Sequence, residues 1–249
     1  MTRSLRRVPW VVCLLGLVFA SSPAFADEAE NEGEKKDDGK REEREGSSEA
    51  PPASTGFQVA IRTGVAVPLG ETVEGTNMSE GFGIQLPVTL DIGAKPIPEI
   101  FVGGYAGFGI GGTAGKIGDD CSRNGLSCTA MTFRIGAQIQ YHILPAARTN
   151  PWVGYGFGYE RANISISQGG NSGTVGASGL ELAHLMAGLD VRLSQVFALG
   201  PYVDFALGQY SSASADTTSG GTSKSTSRDI DKKALHEWFM VGMRFTFLP

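Results

Sequence analysis

Apolar and polar residues alternate with a period of two along much of the chain after residue 55. The clearest segment is 131–143, which has one apolar face: Met131, Phe133, Ile135, Ala137, Ile139, Tyr141 and Ile143. The opposite face is polar or small: Thr132, Arg134, Gly136, Gln138, Gln140 and His142. A helix would need apolar residues three and four positions apart, so the segment is predicted to be a β-strand. Segments 57–67, 84–93, 183–193 and 239–247 show the same alternation.

Three further segments are rich in glycine and begin alike, shortly after Pro98, Pro151 and Pro201. Each contains an aromatic residue followed by a valine, and the spacing of about 50 residues indicates a repeated hairpin. Proline is tolerated at the start of a strand, where no backbone donor is missed. Pro87 lies inside a strand segment instead, so we expect a bulge or slipped pairing there.

The connections between these segments alternate in length. Short ones fall at 95–99, 145–151 and 194–200, and longer ones at 70–82, 112–128, 163–178 and 211–234. Outer membrane barrels have short periplasmic turns and longer external loops. The sequence therefore predicts an all-β, transmembrane, antiparallel up-and-down barrel of about eight strands, with both ends in the periplasm. The Ser- and Thr-rich connection 211–234 is expected to be a flexible loop.

Charged residues on the predicted strands lie mainly on the polar faces. Four bases are matched by four acids: Arg62, Arg134, Arg192 and Arg244 with Asp91, Glu160, Asp190 and Asp204. A charge facing the middle of a bilayer costs roughly 2–4 kcal/mol, so these faces are expected to point inward and form an ionic network. The apolar faces carry charge at Arg161, Glu181 and Glu237, which we expect at the outer rim.

The N-terminus has the pattern of a secretory signal. Arg3, Arg6 and Arg7 precede an apolar run that is too short to span a membrane as a helix, and Ala24-Phe25-Ala26 follows it. We predict cleavage after Ala26, so that residues 1–26 are removed. Loss of the three arginines changes the net charge from −5 to −8.

Residues 27–54 form an acidic segment between the signal and the barrel. Positions 27–50 hold 11 acidic and 5 basic residues, without an aromatic or branched aliphatic side chain. Such a segment cannot bury enough apolar surface to fold, and it is predicted to be a disordered periplasmic tail. The barrel would then occupy 55–249. This segment has no cluster of basic residues that would indicate binding to nucleic acid.

The alternation, the loop asymmetry and the final Arg244-Phe245-Thr246-Phe247 resemble the small eight-stranded outer-membrane barrels of the OmpA and OmpX type, over about four fifths of the chain. The resemblance implies that Phe245 and Phe247 belong to a C-terminal signal for the barrel assembly machinery. Here Leu248 and Pro249 follow, whereas the class usually ends on the aromatic residue. It also implies contact with outer-membrane lipids, and loops that could bind an extracellular ligand.

Two sets of residues remain as candidates for a disulfide and for a catalytic site. Cys121 and Cys128 share one predicted loop of an exported protein, which favours a disulfide, with free thiols as the alternative. His142, His184 and His236 lie on polar faces; only His236 is near an outer rim, within possible reach of Ser225, Ser227 or Asp229. No catalytic spacing is readable, and neither a cofactor nor a metal site is indicated.

These observations favour a non-enzymatic barrel with a structural or surface-interaction role. A narrow porin-like channel is the main alternative, because many inward glycines could leave water-filled space. Less favoured are a barrel enzyme acting on lipid or peptide and a soluble periplasmic ligand-binding barrel. In the soluble barrel, the apolar faces would point inward.

Overall fold

A computed structural model describes residues 55–169, 171–219 and 222–247. The predicted signal peptide, its cleavage site at Ala26, the segment 27–54 and the last two residues lie outside the described residues. The described part contains ten strands: β1 (Gly56–Val73), β2 (Thr76–Asn77), β3 (Phe82–Ile97), β4 (Ile100–Thr113), β5 (Ser127–His142), β6 (Thr149–Gln168), β7 (Asn171–Arg192), β8 (Phe197–Ser219), β9 (Thr222–Asp229) and β10 (Leu235–Phe247). A 3₁₀ turn covers Met78–Glu80, and one helix, α1, covers Gly115–Arg123.

Eight of these strands close into an antiparallel barrel. Strands β3 to β8 pair successively in chain order, while β1 pairs with both β3 and β10, and β10 pairs with β8. The two remaining strands are additions at one end, where β2 pairs with β1 and β9 pairs with β8. The predicted all-β, up-and-down barrel is confirmed, with ten strands in total where about eight were expected.

The two faces of the barrel wall have opposite chemistry. Outward-facing apolar side chains are roughly half exposed, as along β3, where Ile84, Leu86 and Val88 alternate with buried Gln85 and Pro87. The inward faces carry the buried polar and charged residues. This arrangement is the reverse of a soluble protein, because the polar side chains form the interior and the apolar ones form the surface.

The barrel has two different ends. At the turn end, short connections join β3 to β4, β5 to β6 and β7 to β8, and the first residues of β1 lie beside the last residues of β10. The opposite end, which we call the extended end, carries the longer connections and α1. No helix among the described residues is long and apolar enough to cross a membrane.

Several predicted loops at the extended end are strands. The segment 163–178 continues β6 and β7 in a tight hairpin, with Gln168 paired to Asn171. Most of 211–234 forms a second hairpin, in which β8 continues to Ser219 and pairs with β9. The expectation of a flexible loop at 211–234 was therefore wrong. The β6, β7 and β8 strands are 20, 22 and 23 residues long, about twice the roughly 9–11 residues that cross a bilayer.

The polarity of the wall reverses partway along these long strands. In β6, outward residues are apolar up to Tyr159 and polar from Arg161, whereas the inward residue Glu160 is followed by Ala162 and Ile164. Beyond this level the strands have an apolar inner face and a polar outer face, as in a soluble β-protein. The reversal indicates that the extended end is surrounded by water.

Pro87 leaves the strand register unchanged, although the pairing of β3 with β1 is interrupted at Leu86 and Pro87. Residues 85–94 of β3 pair with β4 in one continuous register, and the pairing with β1 keeps the same register on both sides of the proline. The expected bulge at Pro87 was wrong. A register shift occurs instead between Phe82 and Gln85, nearer the end of the strand.

Candidate functional site

The middle of the lumen is crossed by Arg62. Its Nε and Nη2 donate to the two carboxylate oxygens of Asp91 at 3.0 and 2.9 Å, and its Nη1 donates to Asp204 of β8, which lies beyond β10 in the barrel wall. All three side chains are buried. A bidentate arginine–carboxylate pair is among the stronger hydrogen-bonded contacts, so this bridge joins β1, β3 and β8 through the barrel interior.

Toward the extended end, Arg134 and Glu160 form a second centre. Arg134 Nε donates to Glu160 Oε2 at 2.8 Å, and the guanidinium lies 5.2 Å from the ring centroid of Trp238. The other oxygen of Glu160 accepts from the hydroxyl of Tyr210 and from Trp238 Nε1 at 3.1 Å. The Glu160 carboxylate is therefore held by three donors from three different strands.

Glu181 connects these two centres, although the alternation placed it on the lipid-facing side. A register irregularity between Glu181 and Ala183 turns it inward, where its side chain is 1% exposed. Its Oε1 lies 2.8 Å from His184 Nδ1 and its Oε2 lies 3.9 Å from Arg134 Nε. His184 Nε2 in turn lies 3.3 Å from Asp204. The expectation of a rim position for Glu181 was wrong.

At the turn end, Arg244 contacts Asp190 and Gln140. Its Nη1 lies 3.2 Å from Asp190 Oδ2 and its Nη2 donates to Gln140 Oε1 at 2.7 Å. Gln140 donates to Gln138, and Gln138 donates to Asp91 Oδ1 at 2.8 Å. Arg192, also predicted for the network, donates to the carbonyl of Pro145 at 2.6 Å, next to the turn.

These contacts form one continuous chain through the barrel, which we call the lumen network: Asp190, Arg244, Gln140, Gln138, Asp91, Arg62, Asp204, His184, Glu181, Arg134 and Glu160. Each neighbouring pair lies within 3.9 Å. Seven of the eleven members of the lumen network are among the eight charged residues that the alternation placed on the polar faces. Glu181 and the glutamine links were missed.

The buried charges of the described residues balance. Lys95 and Glu181 add one base and one acid to the eight predicted residues, giving five of each. Their distribution is uneven: Lys95, Arg192 and Arg244 lie toward the turn end with Asp190, while Arg62 and Arg134 lie with the other four acids. In that second group, His184 and His236 are additional contacts of the carboxylates.

Beyond Glu160, the interior changes from polar to apolar. Phe82 packs edge-on against Trp238, with ring centroids 6.2 Å apart, and Met78 is fully buried beside them. Above this layer lies a cavity of about 360 Å³, which we call the outer cup. Its walls are Phe82, Ile117, Ala162, Ile164, Val175, Ala177, Ala213 and Ile230.

The rim of the outer cup carries one ion pair. Lys116 Nζ lies 2.9 Å from Glu80 Oε2, and both residues also line the cavity. Lys116 belongs to α1, which is joined to the start of β5 by a disulfide between Cys121 and Cys128, with Cα atoms 6.2 Å apart. The disulfide therefore anchors the helix that places Ile117 in the wall of the cup.

The remaining predicted site residues are in different surroundings. His236 is buried, stacks on Tyr210 at 3.9 Å and lies 3.3 Å from Glu160, whereas Ser225, Ser227 and Asp229 are exposed on β9. The structure does not bring these exposed side chains to the buried histidine. His142 contacts Asn150 at the turn end. No group of three potential metal ligands occurs among the described residues.

Phe245 and Phe247 lie at the turn end of β10. Both belong to its outward face, and the Phe247 ring centroid is 5.3 Å from that of Phe197 on the neighbouring strand. An aromatic pair therefore lies on the outer wall at the turn end.

Solved structures share the barrel fold. A major outer membrane protein from Thermus thermophilus aligns with a TM-score of 0.52 at 12% identity, covering 78% of this chain and 99% of its own. Neisserial surface protein A (NspA) aligns with a TM-score of 0.47 at 13% identity, covering 79% of this chain and 99% of its own. The Escherichia coli outer membrane protease OmpT aligns with a TM-score of 0.40 at 9% identity, covering 77% of this chain and 96% of its own.

No protein-family model matches the chain. No curated protein matches its sequence. The likeness to the Thermus protein concerns the fold alone. At that level the predicted resemblance is confirmed: the chain has the fold of outer membrane β-barrel proteins.

Proposed function

We propose that this chain is an outer membrane barrel with a structural or surface-interaction role, closed along its lumen by its own side chains. The observation that carries the proposal is the lumen network, which fills the barrel from Asp190 to Glu160. An eight-stranded barrel has an interior just wide enough for side chains to fill. A protein built in this way presents its extended end to partners and does not conduct solutes.

The outward wall supports a membrane location. Soluble monomers rarely expose continuous apolar patches larger than a few hundred Å², yet every barrel strand here carries half-exposed large apolar residues on its outer face. Outer-membrane lipids would cover this surface. In the proposed orientation the turn end and both termini face the periplasm, because short turns are typical of that side.

Biogenesis would involve the barrel assembly machinery. Phe245 and Phe247 are the proposed recognition residues, because they lie on the outer face of the last barrel strand. The acidic segment 27–54 would remain in the periplasm as a solvated tail.

A channel is the main alternative, and the packing of the lumen argues against it. Large side chains are fully buried along the lumen: Trp152 beside Arg244 toward the turn end, Arg62 on the strand next to Arg244, and Trp238 toward the extended end. The Arg244 guanidinium lies 4.1 Å from the centroid of the Trp152 ring, so that even the turn end is occupied by a close contact. Opening a path for solutes along the lumen would break these side-chain contacts.

Conductance in planar lipid bilayers tests the closed lumen. We expect no discrete current steps from the refolded mature protein, while a sixteen-stranded porin in the same bilayer serves as the positive control. Reproducible single-channel steps would overturn the closed lumen and favour the channel.

Membrane fractionation, with a comparison of boiled and unboiled samples on gels, tests the barrel itself. Protein in a soluble fraction without a heat-dependent shift would contradict the membrane location.

The barrel is also proposed to be non-enzymatic, and the surroundings of His236 support this. A base that acts on lipid or peptide must be reachable by its substrate. His236 is 1% exposed, stacks on Tyr210 and lies 3.3 Å from Glu160 in the lumen network. Hydrolysis of lipid or peptide substrates that disappears in a folded His236→Asn variant would contradict this interpretation.

A further inference from the structure

We propose that the outer cup binds a small, uncharged, mainly apolar molecule from outside the membrane. The inference goes beyond the proposed function and holds whether or not the lumen conducts. It rests on the reversal of wall polarity above Glu160, on the cavity that this reversal leaves, and on the balanced ion pair at its rim.

The first observation is that the apolar inner face of the extended end is incompletely covered. Ile164, Val175 and Ala213 come from three adjacent strands and face the same space. Ile117 of α1 and Phe82 cover part of this face, but a cavity of about 360 Å³ remains. A packed core leaves few voids larger than a water molecule, so a space of this size in an apolar wall is a built pocket.

The size of the cavity limits the occupant to a small molecule. Pockets for small ligands measure roughly 300–1,000 Å³, are lined mostly by apolar side chains and contain a few polar groups that fix orientation. The outer cup has this composition: apolar walls, with Thr72, Asn77 and the Lys116–Glu80 pair as its polar groups.

The rim determines the charge of the occupant. Lys116 and Glu80 already pair with one another, and the Lys116 side chain is 80% exposed, so that a charged ligand end finds no unpaired partner at the rim and would lose its own hydration. An uncharged polar end, such as a hydroxyl group, can accept a hydrogen bond from the ammonium and donate one to the carboxylate. The site therefore fits an apolar chain or ring with at most one uncharged polar group.

The base of the cup lies between the ligand site and the lumen of the barrel. Phe82 and Trp238 pack against each other as a layer at the base of the cup, and Trp238 also donates to Glu160 in the lumen network. A molecule seated in the cup contacts the apolar side chains above this layer, and the layer separates it from the buried ion pairs of the lumen network. We infer a receptor or carrier role for the cup, without transfer along the barrel axis.

The test uses methyl-labelled isoleucines of the mature protein in lipid nanodiscs. Ile117, Ile164 and Ile230 report on the cup, while Ile84 and Ile139 on the outer wall report on partition into the lipid. Three probes share one chain length: 1-nonanol, nonanoate and nonyltrimethylammonium. We expect saturable shifts of the cup methyl groups with 1-nonanol, and dissociation constants at least about tenfold higher for both charged probes.

Neighbouring positions on β8 provide a matched pair of variants. Ala213 faces the cup and Ser214 faces away from it, so Ala213→Phe should abolish the saturable shifts and Ser214→Phe should retain them. Ala177→Leu, also in the wall, is the second cavity-filling variant if Ala213→Phe does not fold.

The rim pair provides an independent readout. Glu80→Gln leaves the ammonium of Lys116 without its carboxylate and should shift the preference toward nonanoate by about tenfold, while Lys116→Met should favour the cationic probe by a similar factor. Equal shifts at Ile139 and Ile164, or binding that survives both cavity-filling variants, would overturn the proposal and indicate partition into lipid only.

Discussion

Glu181 and His184 point to the same side of the barrel wall although they are three residues apart on one strand, and their side chains meet at 2.8 Å inside the lumen. Regular alternation would place them on opposite faces. An irregularity in the pairing of β7 with β8 between Glu181 and Ala183 adds one residue and restores a common direction. The bulge therefore takes a carboxylate that the alternation directs toward lipid and adds it to the lumen network.

The position of Glu181 can be tested by replacing it with leucine. If the side chain faced lipid, Glu181→Leu would stabilise the barrel by removing a charge from the apolar surface. In the lumen, its loss deprives Arg134 and His184 of a buried partner, so we expect a decrease in the free energy of unfolding of about 3–5 kcal/mol. Denaturant titrations of the protein in lipid vesicles measure the sign of the change. Glu74→Leu, at an exposed position, is the control.

This residue also shows where sequence reasoning reaches its limit. The face of each strand follows from alternation alone, because lipid and lumen demand opposite side chains. A bulge shifts that alternation by one residue, and no particular residue type marks its position in the sequence. At Glu181 the only available sign is that Glu181 and His184, both polar, are separated by an odd number of positions. Their contact could not be read from the sequence.

The extended end was missed for a different reason. The outward residues of β8 beyond the membrane are serine, aspartate and threonine, and the inward ones, such as Ala213, are small. That composition is also typical of a flexible linker. The strand character comes from backbone pairing with β7 and β9, which composition does not specify, so the outer cup could not be predicted.

Arg62 is expected to be the most sensitive position of the lumen network. Arg62→Met leaves Asp91 and Asp204 without their shared cation, which should lower the free energy of unfolding by roughly 3–5 kcal/mol. Arg161→Met removes an exposed guanidinium and should change stability by less than about 1 kcal/mol. Both variants can be compared by the same denaturant titration in vesicles.

A double variant separates charge pairing from side-chain packing at this site. Arg62→Met with Asp91→Leu removes both members of the bidentate pair, and Asp204 keeps its contact with His184. We expect the double variant to be more stable than the sum of the two single changes, because fewer buried charges remain unpaired. Strict additivity would mean that the Arg62–Asp91 contact contributes nothing to the barrel.

The disulfide is expected to act locally. Cys121 and Cys128 close a short loop that holds α1 against the end of β5. Closing a loop of this length restricts the unfolded segment by an amount worth about 2 kcal/mol. Replacing both cysteines by serine should therefore speed amide hydrogen exchange in α1 by more than tenfold, and it should leave exchange in β4 and β5 at the level of Arg134 unchanged. Alkylation without reductant should label neither cysteine of the native protein, and labelling of both would contradict the bond.

The reversal of polarity on β6 predicts where the membrane ends. Phe157 and Asn163 both lie on the outer face of this strand, on opposite sides of the change between Tyr159 and Arg161. In cells, a membrane-impermeant maleimide should label Asn163→Cys and spare Phe157→Cys, because lipid covers the second position. Labelling of Asn163→Cys in intact cells would support an external extended end. Labelling that requires a permeabilised outer membrane would mean that this end faces the periplasm, and equal labelling at both positions would contradict the boundary itself.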